Sequence, residues 1–368
     1  MGELPGPVAL FGSGETSPWG RKVYDWVFSH LGTPPPQVAV LESPAGFQPN
    51  SALVAGKVAD YLREHLRNHR PQITLIPARQ RGTPFSPDDP ALLAPMLQSN
   101  VLFLGPGSPT YAVRQLRDSL AWGYLLARHR LGAALVLASA ATIAASARAL
   151  PVYEIYKVGE ELHWQPGLDL FGPYGLSLAL IPHWDNREGG AELDTSHCFM
   201  GQERFQRLLG ALPPEMMTVV GIDEHTALVM DLAAGLCRVM GRGGVTLILA
   251  GEESHYASGQ SFPADRLGSF HLPEPGEGLV PEVWEAARAA QGVSEIGSAP
   301  TQQVLELVQA REEARNGRDW PLADDLRRRI VEMGWQLQDT PEGPRLEATP
   351  SPSATGIEEV VPHRLQDG

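Results

Sequence analysis

Cysteine is nearly absent from this chain, with two among 368 residues, Cys198 and Cys237. A disulfide framework is therefore excluded as the source of stability, which agrees with a reducing, cytoplasmic setting. A Cys-rich zinc site is excluded as well, because neither cysteine has Cys or His partners at ligand spacing, and His197-Cys198 is an adjacent pair. Both cysteines read as structural. No run reaches the roughly 18 apolar residues of a membrane-spanning helix, and no basic segment followed by a long apolar core opens the chain, so a cytoplasmic protein without membrane contact is expected. Basic charge is also scarce. The net charge of −14 opposes bulk attraction to nucleic acid or anionic lipid and leaves room only for local contacts.

What is present is enough apolar residue, 43%, to bury one large core, with 38 Gly and 33 Pro to punctuate it. Apolar runs at 8–11, 38–41, 73–76, 101–104, 135–138, 176–181, 219–222 and 245–250 alternate with helical patterns such as 53–66, 111–120 and 202–209. Runs that are continuously apolar describe strands covered on both faces. A three-layer, doubly wound, mainly parallel α/β domain is expected over residues 1–270. Residues 271–300 read as a linker carrying a short helix at 281–290, 301–347 as a small C-terminal helical domain, and the Pro/Ser/Thr/Glu-rich residues 348–368 as disordered.

In such sheets the site lies beyond the strand C-termini. After 101–104 comes Gly105-Pro106-Gly107-Ser108-Pro109, a turn able to aim backbone N–H groups at a developing oxyanion. After 135–138, Ser139 enters the alanine-rich run Ala140-Ala141, as at a nucleophile elbow. His183-Trp184-Asp185 follows the strand at 176–181, and Asp223-Glu224-His225-Thr226-Ala227 follows 219–222. Each has a plainer reading, as a helix N-cap, a buried hydrogen-bonded histidine and a turn cap. Gly12-Ser13-Gly14-Glu15-Thr16, after the first strand, lacks the further glycine or lysine of a phosphate loop and is read as pocket floor, with Glu15 facing substrate.

Together these motifs resemble the serine peptidases of the dipeptidase E and cyanophycinase type, with their class I glutamine amidotransferase-like fold. Gly221-Ile222-Asp223-Glu224-His225-Thr226-Ala227 is the strongest match. The resemblance implies Ser139 as nucleophile, His183 as general base, Glu224 as orienting acid and the Gly107 and Ala140 amides as oxyanion donors. Gly105, Gly14 and Glu15 would complete the pocket, and no metal or cofactor is called for. Glu154 is the alternative acid. The elbow has Ala141 where the family has glycine, and Leu137 where many nucleophile elbows have another glycine. The implied substrate is a small peptide or amide. Relatives favour acidic or aspartyl bonds, for which Arg187, Arg204 and Arg207 are candidates.

The segment from Val304 to Glu347 carries a second resemblance. Val304, Leu307, Val308 and Arg311 share one helical face, and Leu322, Leu326, Ile330 and Met333 another; Pro321 stands in the first turn of the second helix and Gly334 at its C-terminal cap. Trp335-Gln336-Leu337, a turn at 341–343 and Arg345-Leu346-Glu347 form a short hairpin. This order closely resembles the C-terminal anticodon-binding segment of cysteinyl-tRNA synthetase, which implies tRNA as a partner and Arg311, Arg315, Arg327 and Arg328 as RNA contacts. The HIGH-like and KMSKS-like signatures of a class I synthetase are missing, so the chain is not expected to aminoacylate. Seven arginines face ten acids there, which confines RNA contact to local patches such as Arg327-Arg328-Arg329.

Overall fold

A computed structural model describes residues 4–32, 34–213, 217–298, 302–333, 335–340 and 343–348. It divides into two compact units, residues 1–291 and 292–368. In the first, β1 (Val8–Phe11), β2 (Gln37–Leu41), β3 (Gln72–Ile76), β4 (Val101–Leu104) and β5 (Ala134–Ala138) are parallel and lie in the order β1-β5-β4-β2-β3. Successive residues of each point into different cores: Val8 and Leu10 into one, Ala9 and Phe11 into the other, with the same alternation along β4 and β5. Helices 18–29 and 51–65 cover one face; helices 90–98 and 120–130 cover the other. This explains why the strands read as unbroken apolar runs, and it makes the three layers.

The architecture departs from one continuous sheet. After the two-residue strands β6 (Arg148–Ala149) and β7 (Gln165–Pro166), β8 (Leu178–Ile181) and β9 (Thr218–Ile222) pair in parallel in a separate four-stranded sheet. Antiparallel β12 (Gly244–Leu249) and β13 (Glu252–Ala257) complete that sheet, through a two-residue turn with Ala250 at φ +51° and Gly251 at +81°. The main sheet instead gains β10 (Thr226–Asp231), β11 (Leu236–Gly241) and β14 (Ser261–Pro263), all antiparallel. A connection as short as 232–235 can only make a hairpin, so β10 and β11 must run antiparallel.

Two boundaries differ from the sequence expectation. The helical pattern at 111–120 is two helices, Pro109–Leu116 and Leu120–Arg130, because Asp118 turns to φ +56° and the Ser119 side chain accepts from Trp122 N–H as a new N-cap. Residues 271–291, read as linker, belong to the first unit. Helix Pro281–Ser298 buries Val283 and Ala287 in the main core, with Val283 against Gly123. Among the described residues no helix is long and apolar enough to cross a membrane.

In the second unit, helices Gln302–Asn316 and Trp320–Glu332 form an αα-hairpin, followed by paired β15 (Trp335–Thr340) and β16 (Gly343–Ala348). Its core is Val304, Leu307, Ala314, Ala323, Leu326, Ile330, Trp335 and Leu337. The buried stripe of the second helix is rotated from the expected one. Leu322 and Met333 are exposed while Ala323 is buried, because the close helix–helix approach takes the smaller side chain. Gly334, the turn at 341–342 and the tail at 349–368 lie outside the described residues.

Candidate active site

Ser139 ends β5 at φ +52°, ψ −107°, a conformation costing a non-glycine residue about 1–3 kcal/mol. The surroundings hold it there. Its N–H donates to Phe11 O at 3.2 Å, and the Thr142 hydroxyl donates to Phe11 O and Leu137 O, both at 3.0 Å. The Ser139 hydroxyl makes no capping bond to the short helix Ala140–Ala144, which sets aside the plain N-cap reading. It lies instead 2.9 Å from His183 Nε2. The departures at Leu137 and Ala141 are accommodated, since both side chains are buried in the main core.

His183 follows β8, also with a left-handed backbone at φ +51°. Its Nδ1 is 3.0 Å from Glu224 Oε1, which also accepts from Asn186 Nδ2 at 2.9 Å. A carboxylate only accepts, so Nδ1 carries the proton and Nε2 is left to accept from Ser139. The hydrogen bond from His183 holds the Glu224 carboxyl below the ordinary carboxylate range, against a smaller opposing effect of burial, and Asn186 adds to the lowering. Glu224 is positioned through its own N–H, which donates to Asp185 Oδ1 at 2.7 Å. Its neighbour Asp223 has another task, accepting from Gly244 N–H at 2.7 Å. Gly221 lets Trp184 cross β9, since a Cβ there would sit 2.3 Å from the indole ring.

Ser139, Ala140, Gly107 and His183 border a cavity of about 310 Å³, walled by Ile143, Val152, Tyr153, Tyr156, Cys198 and Phe199, with Lys157 and Glu188. Among the described residues the Gly107 N–H has no acceptor, and Ala140, the first residue of its helix, has none within the helix. Gly107 is pressed on the turn at 43–46: Ser108 N–H donates to Pro44 O at 2.9 Å, and a Cβ on Gly107 would stand 1.9 Å from that oxygen. Gly105 lines a neighbouring small recess instead.

Gly14 and Glu15 do not line the cavity. Gly14 packs on His225, whose N–H donates to Ser13 Oγ at 3.1 Å, and burial raises the Glu15 carboxyl, partly offset by a backbone hydrogen bond first and then by His183 and His225. Glu154 is not a cavity residue, and its Oε2 is buried without a partner; His183 pairs with Glu224. Cys198 borders the cavity with its thiol pushed up by burial, which keeps it protonated and unreactive. The arginines proposed for an acidic substrate group are elsewhere. Arg204 donates to Phe199 O at 2.7 Å and Met200 O at 2.5 Å, and neither Arg187 nor Arg207 borders the cavity.

Sequence reasoning missed two features. Asn186, 2% exposed, fixes the outer side of Glu224; its position three residues after His183 was the available signal. His197, Cys198 and Phe199 form three consecutive left-handed residues; histidine visits that region more readily than most types, but cysteine and phenylalanine do not, so the run leaves no signal in the sequence. Their amides brace the histidine loop: His197 N–H donates to Trp184 O at 2.8 Å and Cys198 N–H to His183 O at 3.1 Å.

In the second unit, Arg311 is 4% exposed and makes a two-armed pair with Asp339, both contacts 2.9 Å; it is a structural cation and not a free phosphate contact. Arg315 joins the same carboxylate at 2.6 Å, Arg327 donates to Leu337 O at 3.2 Å, and Arg328 pairs with Asp325. The Asp339 hydrogen bond raises Arg311 above its ordinary range, while Arg311 lowers Asp339.

The α/β architecture has a counterpart among solved structures. A crystal structure of a peptidase from an acI-B1 Actinobacterium superposes with a TM-score of 0.57 at 18% identity, covering 72% of this chain and 98% of that one. A putative peptidase E protein from Listeria monocytogenes EGD-e aligns with a TM-score of 0.41 at 12% identity, covering 69% and 98%. The C-terminal region is similar to cysteine–tRNA ligases. The protein from Rubrobacter xylanophilus is 44% identical over 66 residues, 16% of this chain and 14% of that one. The ligase from Moorella thermoacetica is 54% identical over 39 residues, 11% and 8%. The chain thus spans a seventh or less of the length of these curated relatives. No family model matches the chain.

Proposed function

We propose that the α/β unit hydrolyses a peptide or amide bond with Ser139, His183 and Glu224 as its catalytic residues. The observation that carries this reading is the unbroken chain from Ser139 Oγ to His183 Nε2 (2.9 Å) and from His183 Nδ1 to Glu224 (3.0 Å), opening on a cavity. Ser139 Oγ attacks the carbonyl carbon as its proton passes to Nε2. The oxyanion is met by the Gly107 and Ala140 N–H groups, and Glu224 stabilises the imidazolium. Nε2 then returns the proton to the departing amine, leaving an acyl-serine that water hydrolyses with His183 again as base.

The test is intact mass after an excess of a fluorophosphonate, followed by peptide mapping. One adduct on the peptide holding Ser139 is expected; none on folded protein rejects an activated serine. A second expected result concerns the oxyanion turn. Gly107→Ala forces the turn off Pro44, and a misplacement of about 1 Å costs on the order of 10²-fold in kcat. Labelling of Ser139 should persist, slowed, and unchanged kcat would remove Gly107 from the oxyanion site.

The similarity of the C-terminal region to cysteine–tRNA ligases favours a second reading, in which residues 301–347 contact tRNA. With Arg311 committed to Asp339 and Arg328 paired with Asp325, the exposed cations in no salt bridge among the described residues include Arg318, Arg329 and Arg345. This reading has no aminoacylation step. Filter binding should show tRNA retention that weakens steeply with salt and disappears on removing residues 292–368; retention unaffected by that removal would reject it.

A further inference from the structure

We propose, taking Ser139 as the nucleophile, that the cleft selects a substrate with a large apolar or aromatic side chain beside the scissile bond, and not an acidic one. Tyr153, Tyr156 and Lys157 all reach the cavity from the π-helical turn Glu154–Val158 and the residue before it. The Tyr156 ring lies 5.3 Å from Phe199, and Phe199 lies 5.9 Å from His183, so an aromatic wall runs from this turn to the base. Ile143 and Val152, 2% and 4% exposed, close the floor. Phe199 is held on that wall by the left-handed run at 197–199, with Arg204 fixing its carbonyl, so the chain keeps a strained backbone where the ring faces the cleft.

The charges of the cavity argue the same way. Its charged members, Lys157 and Glu188, are opposite in sign and exposed, and Lys157 Nζ already rests 5.1 Å over the Tyr153 ring. A carboxylate entering here would give up its water for aromatic faces and one mobile ammonium, with Glu188 opposing it, and no guanidinium lines the cavity. A ring or branched aliphatic group gives up no charge hydration on entry and buries its apolar surface against Ile143, Val152 and the aromatic wall. The volume, about 310 Å³, suits one such side chain with its flanking amides.

The experiment separates this inference from the reading on which it rests. In the Ser139→Ala chain, which keeps the cavity and lacks the nucleophile, N-acetyl-L-phenylalanine amide, N-acetyl-L-alanine amide and N-acetyl-L-aspartic acid amide are titrated by calorimetry. The phenylalanine ligand should bind on the order of 10-fold or more tighter than the alanine one, and the aspartic ligand no tighter than alanine. Adding Tyr156→Ala, with folding checked by circular dichroism, should erase the phenylalanine advantage, and Tyr156→Phe should keep it. Preference for the aspartic ligand, equal affinity for all three, or no binding of any overturns the inference. Failure of the wild type to take a fluorophosphonate while phenylalanine selectivity persists would instead reject the nucleophile and leave the apolar site standing.

Discussion

Replacing Ser139 by alanine is expected to abolish fluorophosphonate labelling and to lower amide hydrolysis by about 10⁶-fold, the scale at which losing the nucleophile of a Ser-His-acid unit is felt. The side chain has one hydrogen-bond partner, His183, so its removal strips no other element of support, and the backbone bonds that fix the elbow do not involve it. Thermal stability should therefore stay close to that of the wild type, which makes a lost rate a chemical result. Residual hydrolysis above the uncatalysed rate is expected from Gly107, Ala140 and binding alone. A loss below tenfold, measured with an amide the wild type turns over, would place the chemistry elsewhere.

The α/β fold was legible because burial on both faces leaves a plain sequence trace. Val8–Phe11 and Ala134–Ala138 supply side chains to two cores, so every position is apolar. The departure of β8, β9 and β12 into a second sheet was not legible. Leu178–Ile181 and Val219–Ile222 are as continuously apolar as the main strands, since they too are buried on both sides, and composition does not say which neighbour a strand pairs with. The candidate serine, histidine and acid of the site were visible as strand-end residues of suitable chemistry, whereas which glutamate lies beside His183 depends on distances that only the folded chain defines. The pairing of Arg311 was not legible for a similar reason. On the helix it is one of two arginines, and its partner Asp339 lies 28 residues away on the following strand.

Glu224→Ala is expected to lower kcat/KM by about 10⁴-fold, while Glu154→Ala changes it by less than about 10-fold. Glu224 Oε1 receives both His183 Nδ1 and Asn186 Nδ2, so its loss leaves the imidazole without an acceptor to fix its tautomer or a charge to balance the imidazolium. Glu154 makes no hydrogen bond to His183, and its removal takes away a buried oxygen that had no partner. Stability follows the sign of the pKa shift. The Glu224 carboxyl is held down by His183 first and Asn186 second, so its interactions stabilise the fold at full strength above the ordinary carboxylate range. That contribution fades as pH falls through the depressed value. In denaturant unfolding the gap between wild type and Glu224→Ala should stay constant across neutral pH and close in acid. A gap that opens toward acid would contradict the depressed carboxylate, and a kcat/KM more sensitive to Glu154→Ala than to Glu224→Ala would transfer the role of acid to Glu154.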